Sequence, residues 1–319
     1  VKSDQLAALQ AAFGEQMEAE TALAPFTSAR IGGPAEVLIT VHQADELVEA
    51  ARTLWDLDLP FVIIGGGSNV LVSDHGISGV VILNQARKIE FIEDGGALTV
   101  VAESGASLGS LARRAAERGW SGLEWAATVP GTVGGAVVGN AGAHGGDTAG
   151  DLLMAEILQR SGGIEKWPVE KLNFEYRGSW LKHHPGQAIV ISATFKLEAS
   201  TPQVCKEKIR GFVEHRQQTQ PAGASMGSMF KNPPDDFAGR LIDQAGLKGL
   251  QRGGAQISEQ HANFFVNLGD AQASDVYQLI EQARRAVKDQ FGIDLELEIE
   301  LIGDWNVDAG QVNSRGAAA

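Results

Sequence analysis

Apolar residues recur along this chain at two spacings, and the switches between them mark its elements. Leu6, Leu9, Phe13 and Met17 fall at helical spacing behind a Ser3/Asp4 start signal, which predicts an amphipathic helix over 3–20. A strand over 36–41, a helix over 44–57 with Leu47, Ala50, Ala51 and Leu54 inward, and a fully apolar strand over 61–64 follow. Together they read as a βαβ unit that ends in glycines. Shorter apolar runs predict strands over 70–72, 79–83, 88–92 and 98–102, then a helix over 108–118. After a glycine-dense stretch over 125–146, strands are predicted over 155–159, 165–168 and 188–195 and a helix over 202–218. Gln220-Pro221-Ala222-Gly223 breaks that helix. Helices over 237–245 and 273–291 and strands over 264–267 and 295–302 complete the pattern, before a tail of small and polar residues from Val307 that is expected to be disordered.

No repeat or low-complexity segment interrupts this order. The longest uncharged stretch, 125–146, contains Pro130 and many glycines, so it reads as a loop system and leaves no membrane span. The first residues lack both the apolar run of a secretory leader and an Arg-rich transit pattern, and the expected location is the cytoplasm.

Charge and cysteine content narrow the chemistry. Lys and Arg total 26 against 40 Asp and Glu, a formal net charge of −14, which argues against a surface built to track nucleic acid. The lone Cys205 excludes an internal disulfide framework and a CxxC site, and it reads as a structural thiol. The seven histidines include no HExxH pair, so no metal site is expected.

Three glycine elements are candidates for holding a ligand. Strand 61–64 runs into Gly65-Gly66-Gly67-Ser68-Asn69, where glycines allow close backbone approach and converging N–H groups suit a pyrophosphate. The spacing and the strand-like Val70-Leu71-Val72 that follows exclude a dinucleotide-fold fingerprint, and no Walker A lysine is present. Seven glycines fall within the 17 residues 130–146, leaving one wall bare of side chains. Ile31-Gly32-Gly33-Pro34-Ala35 is the third element. Three such elements in an acidic chain favour a large nucleotide cofactor, although close packing could explain any one of them.

These segments belong to a longer ordered set. Thr27 to Ala35, Gly65 to Leu71, Pro130-Gly131-Thr132-Val133-Gly134-Gly135-Ala136, Asn140-Ala141-Gly142-Ala143, Tyr176-Arg177-Gly178-Ser179, Gly227-Ser228-Met229-Phe230-Lys231-Asn232-Pro233, Gly254 to Ser258 and Glu298-Ile299 occur in sequence from about Thr27 to Gly303. In that order the chain resembles the UDP-N-acetylenolpyruvoylglucosamine reductase family, flavoenzymes that make UDP-N-acetylmuramate for peptidoglycan. The short interval from Arg177 to Ser228 resembles the compact form that lacks an extra substrate loop. The resemblance implies an α+β architecture: a two-lobed FAD-binding fold of the vanillyl-alcohol oxidase type over 1–85 and 86–204, a smaller α+β UDP-sugar domain over 205–306, and the tail 307–319. It also implies FAD as cofactor, NADPH as diffusible hydride donor, a small-molecule UDP-sugar as the partner, and a monomer or weak oligomer.

Reducing an enol ether needs a hydride at one carbon, stabilisation of charge spreading onto the adjacent carboxylate, and a proton at the second carbon. By the resemblance, flavin supplies the hydride, Arg177 faces the developing charge with its planar donor fork, Ser228 gives the proton and Glu298 is its partner carboxylate. Taken without the motif, Arg177 reads as a surface ion-pair residue, Ser228 as a loop hydroxyl and Glu298 as one of three glutamates on a solvated strand face with Glu296 and Glu300. Ile31, Gly32, Gly33, Gly65, Gly66, Gly67, Ser68, Asn69, Pro130, Gly131, Val133, Gly134, Gly135, Asn140, Gly142 and Ala143 are the implied FAD contacts. Tyr176, Lys231, Asn232, Gln256 and His261 are the implied substrate contacts. His144, Gly139, Asn263 and Glu300 depart from the family, which commonly has Tyr, Met, Gly and a basic residue there.

Three other readings compete. Gly223-Ala224-Ser225-Met226-Gly227 matches the hydrolase string GxSxG, but that elbow needs a strand before the serine and a helix after it. The others are an FAD-dependent oxidase of another substrate and a non-catalytic flavin-binding module.

Overall fold

The computed structural model describes residues 1–305, so the tail expected from Val307 lies outside the described residues. The first lobe is a four-stranded sheet in the order Met17–Ala22, Pro34–Val41, Ile77–Asn84, Phe61–Ile64. Its last three strands run parallel. The expected βαβ unit is present, with Ile77–Asn84 inserted between its two strands. Helix Ala44–Asp56 lays Leu47, Ala50, Ala51 and Leu54 on one face of the sheet, while Leu38, Val81 and Leu83 fill the other. A parallel sheet covered on both sides explains the unbroken apolar run Val80-Val81-Ile82-Leu83.

The second lobe is an antiparallel sheet ordered Ile164–Pro168, Leu152–Gln159, Ala188–Ala199, Ala97–Glu103, Ile89–Asp94. Helix Leu108–Glu117, capped by the Ser107 hydroxyl, packs Leu108, Leu111, Ala112 and Ala115 into its core. Helix Pro202–Thr219 straddles the expected 204/205 boundary and sets Ile209 and Phe212 against the same core. It also buries Cys205, whose thiol burial pushes up in pKa.

The third unit is a four-stranded sheet ordered Ala224–Ser228, Phe264–Asn267, Ala255–Ile257, Gln251–Arg252. Helix Ala273–Phe291 buries Val276, Leu279, Ile280 and Val287 against it, at roughly 1.5–3 kcal/mol for each large side chain. Several contacts tie this unit to the first lobe, two of them extensive. The carboxylate of Asp74 accepts from the amides of Ala273 (2.6 Å) and Ser274 (2.9 Å), capping the long helix from another lobe. Strand Glu300–Ile302 pairs in parallel with Val70–Val72.

Four expectations are corrected. The first helix is Ser3–Phe13: it stops at Gly14 (φ 48°), and Met17–Ala22 leaves it to pair with Pro34–Val41. The 125–146 stretch is not all loop, because Thr132 accepts from the Gly135 amide at the start of helix Val133–Gly139, which ends at left-handed Asn140. Of the strand predicted over 295–302 only Glu300–Ile302 pairs regularly, with a single bridge from Leu297 to Phe230. Ser228, read without the motif as a loop hydroxyl, ends the strand Ala224–Ser228.

Candidate active site

The three glycine elements meet one another. A Cβ on Gly65 would lie 2.4 Å from Thr132 Oγ1, and one on Gly66 3.0 Å from Gly131 Cα. Gly67 (φ 56°) would thrust its Cβ against the Phe26 carbonyl, and the Gly67 carbonyl accepts from the Ser28 amide at 2.9 Å. Here the glycines are required so that the turn 27–33, the loop 65–69 and the loop 130–135 can close on each other.

Their backbone groups divide into two sets. The amides of Val133 and Gly134 donate to the carbonyls of Ala106 (2.9 Å) and Ser104 (2.8 Å). The Gly33 amide donates to Ser73 O and the Ile31 amide to Thr27 Oγ1. Those four shape the loops. Among the described residues, no amide from Gly65 to Asn69 donates to a protein acceptor, which leaves a row of N–H groups for an anionic ligand.

Asn69 links this loop to the second half of the site. Its side-chain amide donates to the Glu298 carbonyl (3.1 Å), and its own carbonyl accepts from the Glu300 amide (2.9 Å). On the other side of the 296–300 run, the Glu298 amide donates to the carbonyl of Met229, the residue after Ser228 (3.0 Å). Ser228 ends its strand opposite Phe264. Asn263, noted only as a departure in the sequence, is buried and clamps both backbone groups of Phe230: Oδ1 accepts from the amide at 2.9 Å and Nδ2 donates to the carbonyl at 2.8 Å.

Arg177 enters from the second lobe. It sits in the left-handed region (φ 57°), held by reciprocal bonds between the Glu175 and Gly178 backbones. Nη2 donates to the Gly142 carbonyl at 2.9 Å, and Nε lies 2.8 Å from Glu298 Oε1. That contact is a charge pair bent away from hydrogen-bond geometry, so the Nε–H stays buried without a hydrogen-bond partner. The left-handed backbone of Arg177 is a strained conformation that its turn must hold in place.

Asn140, one of the expected cofactor contacts, is buried and holds this turn: Nδ2 donates to the Glu175 carbonyl (3.0 Å) and Oδ1 accepts from the Ala149 amide (3.1 Å). Gly142 packs its Cα against Asp147, and Ala143 lies beside it in the same small hairpin.

Burial pushes the Glu298 carboxyl above the usual carboxylate range, and the charges of Arg177, Lys182 and Lys231 pull against it. Without the motif these glutamates read as a solvated strand face; each has a cationic partner, Glu296 stays exposed and Glu298 is largely covered. Lys231 Nζ meets Glu296 (2.5 Å), Arg177 meets Glu298 and Lys182 Nζ meets Glu300 (2.9 Å). Lys182 was missed by sequence reasoning; its only signal was its place just after the Tyr176 to Ser179 motif.

The remaining expected substrate residues are spread out. Tyr176 is exposed beside the Arg177 guanidinium, 5.4 Å from ring centroid to Cζ. Asn232 Oδ1 accepts from the Ala238 amide, Gln256 Nε2 donates to Gly249 O, and His261 Nδ1 accepts from the Asn263 amide. Each is anchored inside the third unit, and burial lowers the His261 pKa. His144 stacks on Phe212 at 4.3 Å with Thr128 Oγ1 3.2 Å from Nε2, and burial followed by His215 and Arg216 lowers its pKa. The GxSxG string fails as an elbow: Ser225 lies within strand Ala224–Ser228, and the next helix begins only at Ala238. Among the described residues no cluster of metal-binding side chains occurs, and no helix is long and apolar enough to cross a membrane.

Comparison with known proteins follows the same division of the chain. Residues 35–166 match the model of an FAD-binding domain, and residues 217–302 match the C-terminal domain of UDP-N-acetylenolpyruvoylglucosamine reductase. The UDP-N-acetylenolpyruvoylglucosamine reductase of Chloroflexus aggregans is 43% identical over 280 residues, covering 86% of this chain and 94% of that protein. The corresponding protein of Synechocystis is 42% identical over 298 residues, covering 92% of each. The crystal structure of the Thermus caldophilus reductase superposes with a TM-score of 0.76 at 36% identity, over 89% of this chain and 99% of that one.

Proposed function

Because the chain belongs to the UDP-N-acetylenolpyruvoylglucosamine reductase family, we propose that the Arg177–Glu298 pair next to Ser228 is where its substrate is reduced. The protein is an FAD-dependent oxidoreductase that converts UDP-N-acetylglucosamine enolpyruvyl ether to UDP-N-acetylmuramate, a peptidoglycan precursor. The observation that carries the placement is the Arg177–Glu298 charge pair, with Nε 2.8 Å from Oε1, which Asn69 connects to the glycine loop.

The loops fit FAD. Gly65, Gly66 and Gly67 let the loops close on one another, and the amides of 65–69, which donate to no protein acceptor among the described residues, would hold the pyrophosphate, with Gly131 and Gly135 on the facing loop. Ile31, Gly32, Gly33, Pro130, Val133 and Gly134 would shape that cradle, and Asn140, Gly142 and Ala143 would form its wall toward Arg177. When bound, FAD supplies the hydride for the enol ether, and NADPH is the diffusible donor that renews it.

The chain's own residues do the rest. Arg177 would donate from its guanidinium to the substrate carboxylate and stabilise charge that develops there. Ser228 would deliver the proton to the second carbon; a serine is a poor acid, so the site must lower the cost of the transient alkoxide, and the cations Arg177, Lys182 and Lys231 around Glu298 would supply that charge. Glu298, kept among those cations, would be the partner carboxylate near that carbon. Tyr176 and Lys231 would meet the substrate, and Asn232, Gln256 and His261 would use the polar atoms left beyond their internal bonds on the sugar and phosphates. We take the enzyme to act in the cytoplasm as a monomer or weak oligomer.

The test is an anaerobic visible spectrum of the FAD-loaded protein through addition of NADPH and then of the enolpyruvyl UDP-sugar. Bleaching by NADPH and recovery with the sugar are expected. Ser228→Ala should bleach at the normal rate and recover at least about a hundredfold more slowly. Equal loss in both steps from a folded, flavin-loaded variant would remove Ser228 from the proton-delivery role.

A further inference from the structure

The three carboxylates at alternate positions of the 296–300 run are met by cations from two segments, and two of those cations share one stretch pinned by hydrogen bonds. Arg177 and Lys182 flank Ser179, whose hydroxyl donates to the Val138 carbonyl (2.7 Å) and accepts from the Lys182 amide (3.3 Å). Asn140 fixes the same stretch at Glu175. Lys182 therefore projects from a short helix, Trp180–His183, pinned at its start, and its ammonium lies 2.9 Å from Glu300 Oε1. Its side chain is 20% exposed, so solvent screens this charge less than an ordinary surface lysine.

We propose that Lys182 is a positioning residue of the Arg177–Glu298 site: locked by Glu300, it places a second fixed positive charge beside Glu298 and holds the 296–300 run against the second lobe. This rests on the functional reading above. The groups facing Glu298 are Arg177 from the 175–178 turn, Lys182 from its helix and Lys231 from the segment after Ser228, with Glu296 and Glu300 on its own run. Burial favours the protonated form of Glu298 and the Lys182 charge opposes it. Removing that charge should leave Glu298 protonated to higher pH. Removing the Glu300 charge takes away a like neighbour and the neutralising partner of Lys182, so it should do the opposite. A merely structural pair would not give effects of opposite sign.

The experiment uses the FAD-loaded enzyme with Lys182→Met, Glu300→Gln, the double variant and Lys182→Arg. One readout is the carboxyl carbon-13 NMR titration of Glu298, assigned by its loss in Glu298→Gln; the other is the pH profile of flavin reoxidation by the enolpyruvyl UDP-sugar. The expected result is an upward shift of the Glu298 titration in Lys182→Met, a downward shift in Glu300→Gln, an intermediate double variant and recovery in Lys182→Arg. A Glu298 titration that stays put, or moves the same way in both single variants, overturns the proposal. Opposite NMR shifts that the reoxidation profile does not follow leave the Lys182 assignment standing and remove Glu298 from the chemistry. If Lys182→Met does not fold, Lys182→Gln and Glu300→Gln carry the same test of sign.

Discussion

Gly65→Ala tests whether the glycine loops work by contact with each other. Gly65 does not have a positive φ, so alanine meets no backbone penalty there and the effect reports the added methyl group alone. That methyl would lie 2.4 Å from Thr132 Oγ1 and 2.8 Å from its Cγ2, about 1 Å inside ordinary contact for the nearer atom. Thr132 cannot simply rotate away without leaving the start of helix Val133–Gly139, whose Gly135 amide it accepts. The loop itself must shift. Overpacking of this kind costs about 1–3 kcal/mol, and loss of the Thr132 cap in Thr132→Ala costs about 1 kcal/mol. In the double variant the nearest Thr132 atom left is Cβ, at 3.2 Å, so most of the clash is gone. The double variant is therefore expected close to Thr132→Ala alone, with a coupling of about 1–2 kcal/mol in urea denaturation of the apoprotein. FAD titration by flavin fluorescence should show Gly65→Ala weakened about tenfold or more, because each 1.4 kcal/mol is a factor of about ten. Additive stabilities, or wild-type FAD affinity in Gly65→Ala, would refute the contact argument.

Other expectations concern the supports of the site. Asn140→Ala strips partners from the Glu175 carbonyl and the Ala149 amide and forces alanine into the left-handed region (φ 43°); a loss of about 3–5 kcal/mol in denaturant unfolding is expected, and a loss under 1 kcal/mol would contradict it. Arg177→Lys keeps the charge but not the fork that reaches both Gly142 and Glu298; stopped-flow should show reoxidation by the sugar slowed about a hundredfold with reduction by NADPH little changed. Asp151 is raised above the usual carboxylate range, first by burial, against the pull of the Trp125 N–H at 2.7 Å. The folded protein thus holds this proton more tightly than the unfolded chain, so the contribution is present below the ordinary carboxylate range and is lost as pH rises through the raised value. Asp151→Asn keeps an acceptor for Trp125, and its stability curve between pH 4 and about 8 should decline less with rising pH than the wild type; parallel curves would count against it.

Much of this protein was legible along the chain. The strands Phe61–Ile64, Val70–Val72 and Phe264–Asn267 and the helix Ala273–Phe291 lie where apolar spacing put them, because periodicity is set by neighbours two to four residues away. Near the ends of elements the same spacing misled: Met17 continues the helical pattern of Leu9 and Phe13, but Gly14 ends the helix and a distant strand captures Met17–Ala22. The glycines, too, were visible as loops that needed bare backbone, while what each one faces was not.

The tertiary structure decided partnership. Spacing alone does not distinguish Glu296, Glu298 and Glu300, which alternate identically in sequence, and only the family motif singled out Glu298. Only the fold gives them Lys231, Arg177 and Lys182 in turn, half-buries Glu298 and ties it through Asn69 to the glycine loop. The Asp74 cap on a helix 199 positions away is of the same kind. Short-range sterics and hydrophobic spacing are written into every stretch of chain, whereas the charge a carboxylate carries and the donor it meets depend on which segments packing brings together.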